Sequence, residues 1–150
     1  MITLDVNGAP QLQARAAAAQ ERADQGALAA LPARGAASGV DPAALRLGAS
    51  VYDGACARCH DVGRNVSSNG ALRLPIAVAV YDPDPRSLLR IVREGIVPPP
   101  LSSGRWMPAF GSTLTDDQLV ALLTWLRATA AAAPPWPDLR QAVLDSKGKP

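Results

Sequence analysis

Every cysteine and the single histidine of this 150-residue chain fall within five consecutive positions, Cys56-Ala57-Arg58-Cys59-His60. Two thiols three apart on a helical turn face the same way. Each can add across one vinyl group on the same edge of a porphyrin, giving two thioether bonds. The imidazole of His60 is then carried beneath the ring, where it can bind iron. Cys-x-x-Cys-His is the spacing of covalent haem attachment. Three other chemistries use some of these residues. Structural zinc takes four nitrogen or sulfur ligands, and this motif supplies three with no second pair. A thioredoxin-like dithiol sits beside a βαβ pattern, which the sequence lacks. A plain disulfide needs an oxidising compartment and no adjacent histidine.

A second iron ligand has one clear source. Apart from Met1, the chain has one methionine, Met107, in "RWMPAF", 47 positions beyond His60. A lone methionine is ordinarily core filler. This one lies between Trp106 and Pro108 on a loop stiffened by Pro98, Pro99, Pro100 and Pro108. Prolines fix the backbone there and suit a side chain that must hold one distance to a metal. No second histidine exists, so a bis-histidine haem cannot be completed within the chain. His60 and Met107 are therefore the expected metal ligands.

The elements that must position these residues read as helices. Asp41 and Pro42 open the first, which is expected to run to about Ala57 and places Gly48 and Tyr52 on one face. Residues 61–83 read as loop, with "PIAVAV" extended. Asp84 caps, Pro85 starts and Gly95 stops the next helix, whose buried stripe holds Leu88, Ile91 and Val92. Thr115 and Gln118 form a capping box for the last clear helix, with Leu119, Leu122, Leu123 and Leu126 at helical spacing. A short helix is expected from Asp138 to Asp145. The domain reading is an Ala-rich linker or arm at 1–40, a haem domain at 41–133, and a Pro-rich tail at 134–150.

Composition agrees with a cofactor-centred core. The apolar fraction is 48%, yet aromatics make up only 4%, so the protein's own core is thin. The net charge of +2 is too close to balance for a nucleic-acid surface. No run of about 18 apolar residues spans a membrane. The opening "MITLDVNGAPQLQARAAAAQ" lacks the basic region and apolar block of a secretory signal.

The order of these parts resembles a class I mono-haem cytochrome c. "GASVYDGACARCH" is similar to the family's first helix, and "MPAFGSTLTDDQLVALLTWLR" to its methionine loop and final helix. The resemblance covers about residues 41–133. It implies an all-α fold, three to four helices around one covalent haem c, with an extended N-terminal arm and a C-terminal tail. It implies a close crossing of first and last helices at Gly48, with Tyr52 and Trp125 packed around it. It also implies that Leu74 and Pro75 form the loop on the histidine side, with the Pro75 carbonyl accepting a hydrogen bond from His60. "DPDPRSLLRIVREGI" and "PPWPDLRQAVLDS" are similar to cytochrome c domains serving periplasmic quinoprotein and molybdenum dehydrogenases. "MITLDVNGAP" resembles the start of the iron–sulfur subunits of molybdenum hydroxylases, but the cluster cysteines that would follow are absent.

The expected haem neighbours are Leu74, Ile76, Leu88, Val92, Trp106 and Phe110. Arg73, Arg105 and the Trp106 indole are candidates for the haem propionates, and Arg58 is expected to face solvent. The function expected is one-electron transfer from a dehydrogenase or neighbouring haem domain to a downstream cytochrome or terminal oxidase. It is a carrier rather than an enzyme, it works in the bacterial periplasm, and it has no catalytic residues. The rival is a haem peroxidase or gas sensor in which Met107 leaves the iron.

Overall fold

The computed structural model describes residues 39–61, 71–102 and 104–147, together with helical positions 15, 18, 19, 21–23 and 26. Most of the expected 1–40 arm, including "MITLDVNGAP", lies outside the described residues.

Helix α1, Pro42–Ala55, starts where Asp41 accepts a hydrogen bond from the Ala43 amide at 3.0 Å and Pro42 fills the first turn. It ends two residues earlier than its sequence implies. Cys56 leaves helical geometry (φ −113°), and the chain resumes as the single turn α2, Ala57–His60. The break re-aims the cysteine turn without losing the helical path, because the Cys56 amide still donates to Tyr52 O at 2.8 Å. "PIAVAV" is not extended. Two 3₁₀ turns, Leu74–Ile76 and Val78–Val80, draw the chain in and bury Val80 completely. A 3₁₀ turn satisfies backbone groups locally where no strand partner is at hand.

Helix α3, Arg86–Glu94, begins after Pro85, with the Asp84 side chain accepting from the Arg86 amide at 3.0 Å. Gly95 ends it at φ +74°. Helix α4, Asp116–Ala130, carries the complete Thr115–Gln118 capping box. Helix α5, Leu139–Asp145, follows a proline-rich connection. Among the described residues the only β pairing is one antiparallel bridge, Ile96 to Met107. The fold is all-α.

Helices α1 and α4 make the central crossing. Gly48 is the reason it is close: a Cβ there would overlap the Ala121 carbonyl and lie 2.5 Å from Trp125 Cβ. Tyr52 and Trp125 stack beside it, ring centroids 4.5 Å apart. The leucine stripe of α4 is almost wholly buried and meets Leu88, Leu89 and Val92 of α3 in one core. The tail joins that core through Trp136, Leu139, Ala142 and Val143. Its anchor is polar. The Trp136 indole donates to Asp82 O at 2.8 Å, while Arg127 donates to Val80 O at 2.6 Å and stacks over the Trp136 ring.

Candidate haem site

The cysteine turn is held by helical hydrogen bonds: the amides of Cys59 and His60 both donate to Cys56 O, at 3.1 and 3.0 Å. Both cysteines are free thiols and half-buried. Burial, and then Cys59 beside it, pushes the Cys56 thiol up to about 11. Burial likewise holds the His60 imidazole below its usual range, leaving a neutral ring with a lone pair to offer a metal.

His60 is oriented by a backbone carbonyl, as the resemblance implies, but by a different one. Its Nδ1 lies 2.7 Å from Leu72 O. That contact makes Nδ1 the donor, since a carbonyl can only accept, and leaves the lone pair on Nε2. The Pro75 carbonyl accepts instead from the Tyr81 hydroxyl at 2.5 Å. Pro75 lies inside the 3₁₀ turn Leu74–Ile76 and its carbonyl goes to Tyr81, and Leu72, three residues earlier, reaches the ring.

Met107 is held by two backbone bonds. Its amide donates to Ile96 O at 3.0 Å, and its carbonyl accepts from the Ile96 amide at 2.9 Å. Two more bonds tie the loop to the end of α3: Phe110 N to Val92 O at 2.9 Å and Gly111 N to Arg93 O at 3.1 Å. Gly95 makes this approach possible, because a Cβ there would overlap the Met107 carbonyl.

These two supports converge on one apolar cavity of about 130 Å³. Cys56, Cys59 and His60 line it from the cysteine turn, and Met107, Trp106 and Phe110 from the loop. The sequence reading missed Ala55, Ala71, Leu72, Ile96 and Pro108, which also line it. Nothing in their types marks them; Leu72 contributes a carbonyl that any residue would carry. Other expected neighbours sit elsewhere. Leu88 and Val92 are core residues behind the cavity. Arg73, Leu74 and Pro75 line a separate cavity on the far side of His60, with Tyr52, Asp61 and Trp125. Ile76 is half-buried and lines neither. Arg105 lines the main cavity, whereas Arg73 turns away from it to Glu21 and the His60 carbonyl. Arg58 is exposed. Among the described residues no three His, Cys, Asp or Glu side chains gather as a metal cluster.

Helical fold, cysteine–histidine turn and methionine loop together define a class I c-type cytochrome domain. The chain belongs to the family described as cytochrome c oxidase, cbb3-type, subunit III, whose model matches residues 43–126, more than half of its length. Membership carries haem c bound covalently through Cys56 and Cys59, and with it electron transfer to and from redox partners. A relative of the chain is a nicotinate dehydrogenase subunit of Pseudomonas putida, 32% identical over 108 residues. That alignment covers 71% of this chain but 9% of the relative, so the chain corresponds to a small part of that protein. No solved structure gives a significant match.

Proposed function

We propose that this domain carries single electrons on one haem ligated by His60 and Met107, passing them from a dehydrogenase or neighbouring haem domain to a downstream cytochrome or oxidase. One observation supports it above the others: two thiols, an imidazole and a thioether, drawn from segments 47 positions apart, line the same apolar cavity. The donor set fits haem, with sulfurs for the vinyl edge and one nitrogen and one sulfur ligand for iron. The haem supplies one-electron exchange at an iron whose sulfur ligand favours the ferrous state relative to a second imidazole.

The chain's own residues do the rest. Leu72 O holds His60 in one tautomer and one orientation. The Ile96 bridge holds Met107 at a set depth. Phe110, Pro108 and Leu72 keep water from the cavity, and Arg105 and the Trp106 indole are the proposed partners of the haem propionates. The haem unit is proposed as residues 41–133, with 134–150 as the tail closing its far side and 1–40 as linker. A dehydrogenase is the proposed donor, because a protein bearing that name shares this part of its sequence. The periplasm is the proposed compartment, because covalent haem attachment of this kind takes place outside the bacterial cytoplasmic membrane. Among the described residues no helix is long and apolar enough to cross a membrane.

The test is Met107→Ala in protein matured in a periplasm. The covalent haem should remain, seen as one added haem mass under denaturing conditions. The long-wavelength Fe–S(Met) absorption band of the oxidised protein should vanish and the reduction potential should fall. An unchanged spectrum places the ligand elsewhere. Ready CO binding by the reduced, unmutated protein at neutral pH would favour the sensor or peroxidase reading.

A further inference from the structure

Arg73 is the one charged residue buried among the described residues, 7% exposed. A buried charge is costly unless it is paired and hydrogen-bonded. Among the described residues Arg73 hydrogen-bonds to His60 and Glu21. Its Nη1 donates to the His60 carbonyl at 3.3 Å, and its Nη2 meets Glu21 Oε1 at 2.7 Å. The first partner is a helix-end acceptor: α2 stops at His60, so that carbonyl has no intrahelical donor. The second comes from 52 residues away, in the N-terminal segment. A cation thus sits directly behind the residue proposed to bind iron, and its counter-ion belongs to a different part of the chain. The other charged group on this face, Asp61, is engaged by the Tyr52 hydroxyl at 2.7 Å.

We propose that Glu21 is the counter-charge of the haem site, so that docking of the N-terminal segment neutralises Arg73 behind His60 and sets the reduction potential. The inference rests on His60 being the iron ligand. A fixed cation near the iron favours the reduced state, and in a poorly screened interior that influence reaches beyond contact distance. Glu21 at 2.7 Å cancels most of it. With Glu21 in place the potential is lower, and with Glu21 drawn away Arg73 loses its ion-pair partner and the potential rises.

The experiment is a spectroelectrochemical titration of the full-length, haem-loaded chain and four variants. Glu21→Gln should shift the potential upward. Arg73→Gln should shift it downward, because the cation behind His60 is then gone while the Glu21 carboxylate remains. The double variant should return close to the parent, as opposing charges removed together require. Arg73→Lys keeps the cation and should stay near the parent. Hydrogen exchange at residues 21–23 should quicken in Glu21→Gln and Arg73→Gln, reporting release of the Glu21 turn. A merely structural pair behaves differently: either substitution would loosen the site, wet the haem and move both potentials downward. That result, or an unmoved potential in Glu21→Gln, overturns the proposal. Glu21 is on the periphery, so this variant tests the idea even if Arg73→Gln fails to fold. A parent spectrum without a histidine-bound low-spin haem removes the ligand reading and this inference with it; a sound parent spectrum with an unmoved Glu21→Gln potential removes the inference alone.

Discussion

The two walls of the cavity are built in different ways. The cysteine wall ends a helix whose other face is locked against α4 at Gly48, with Val51 and Tyr52 buried behind it. The methionine wall is a loop that owes its position to four backbone hydrogen bonds and one glycine. Around it the chain is open: Trp106 is 58% exposed, and Leu101 stands fully exposed at φ +64°. Core packing sets the first wall, and main-chain pairing sets the second. Damage to the cysteine wall should therefore be felt as global stability, and damage to the methionine wall as loss of the proposed sulfur ligand from an otherwise folded protein.

The largest effect should come from Gly48→Val. The branched side chain enters the Ala121 carbonyl and Trp125 Cβ, neither of which is the flexible end of a side chain. Overpacking of this kind costs about 1–3 kcal/mol, and more where backbone must move. A large drop in the denaturation midpoint is expected, whether the readout is helical signal or haem absorption. A variant as stable as the parent would show that the crossing does not hold the cysteine wall.

Gly95→Ala attacks the other wall. Its φ of +74° and ψ of −169° lie where residues other than glycine are strained by about 1–3 kcal/mol, and the added methyl meets the Met107 carbonyl. The Fe–S(Met) band should weaken or disappear at temperatures where the helical signal is unchanged. If band and helix melt together, the walls are not separable in the way their construction implies.

The same division explains how much was legible in the sequence. The helices were, because their signals are local: the Asp41–Pro42 start, the Thr115–Gln118 box and the Gly95 stop all work within a turn or two of chain. So was the haem-attachment motif, because cysteine and histidine are rare enough here that their positions speak alone. The pocket lining was only partly legible. Trp106 and Phe110 flank Met107 in sequence and line the cavity, whereas Leu88 and Val92 share their apolar character but belong to the core. Periodicity identifies a buried face without saying what it is buried against. The carbonyl on His60 was the hardest case. Which of Leu72 and Pro75 reaches the ring depends on a 3₁₀ turn in "LPIAVAV" that carries no strong local signature. The Arg73–Glu21 pair spans 52 residues and had no signal at all.

Thr115→Ala should have the smallest effect and draws the sharpest line between the walls. Thr115 accepts from the Gln118 amide at 3.2 Å, and its own amide donates to the Gln118 side chain at 2.9 Å. Removing the hydroxyl forfeits one cap bond, worth about 1 kcal/mol. Thr115 lies eight residues after Met107 in the chain, closer than any residue of α4. If nearness in sequence governed the methionine wall, the Fe–S(Met) band should suffer. If the wall hangs on the Ile96 bridge and the α3 carbonyls, the band and the potential should be unchanged while the denaturation midpoint falls slightly. Fraying at the start of α4 would then be absorbed by the leucines of that helix, which belong to the core that backs the cysteine wall and not to the loop that presents the sulfur.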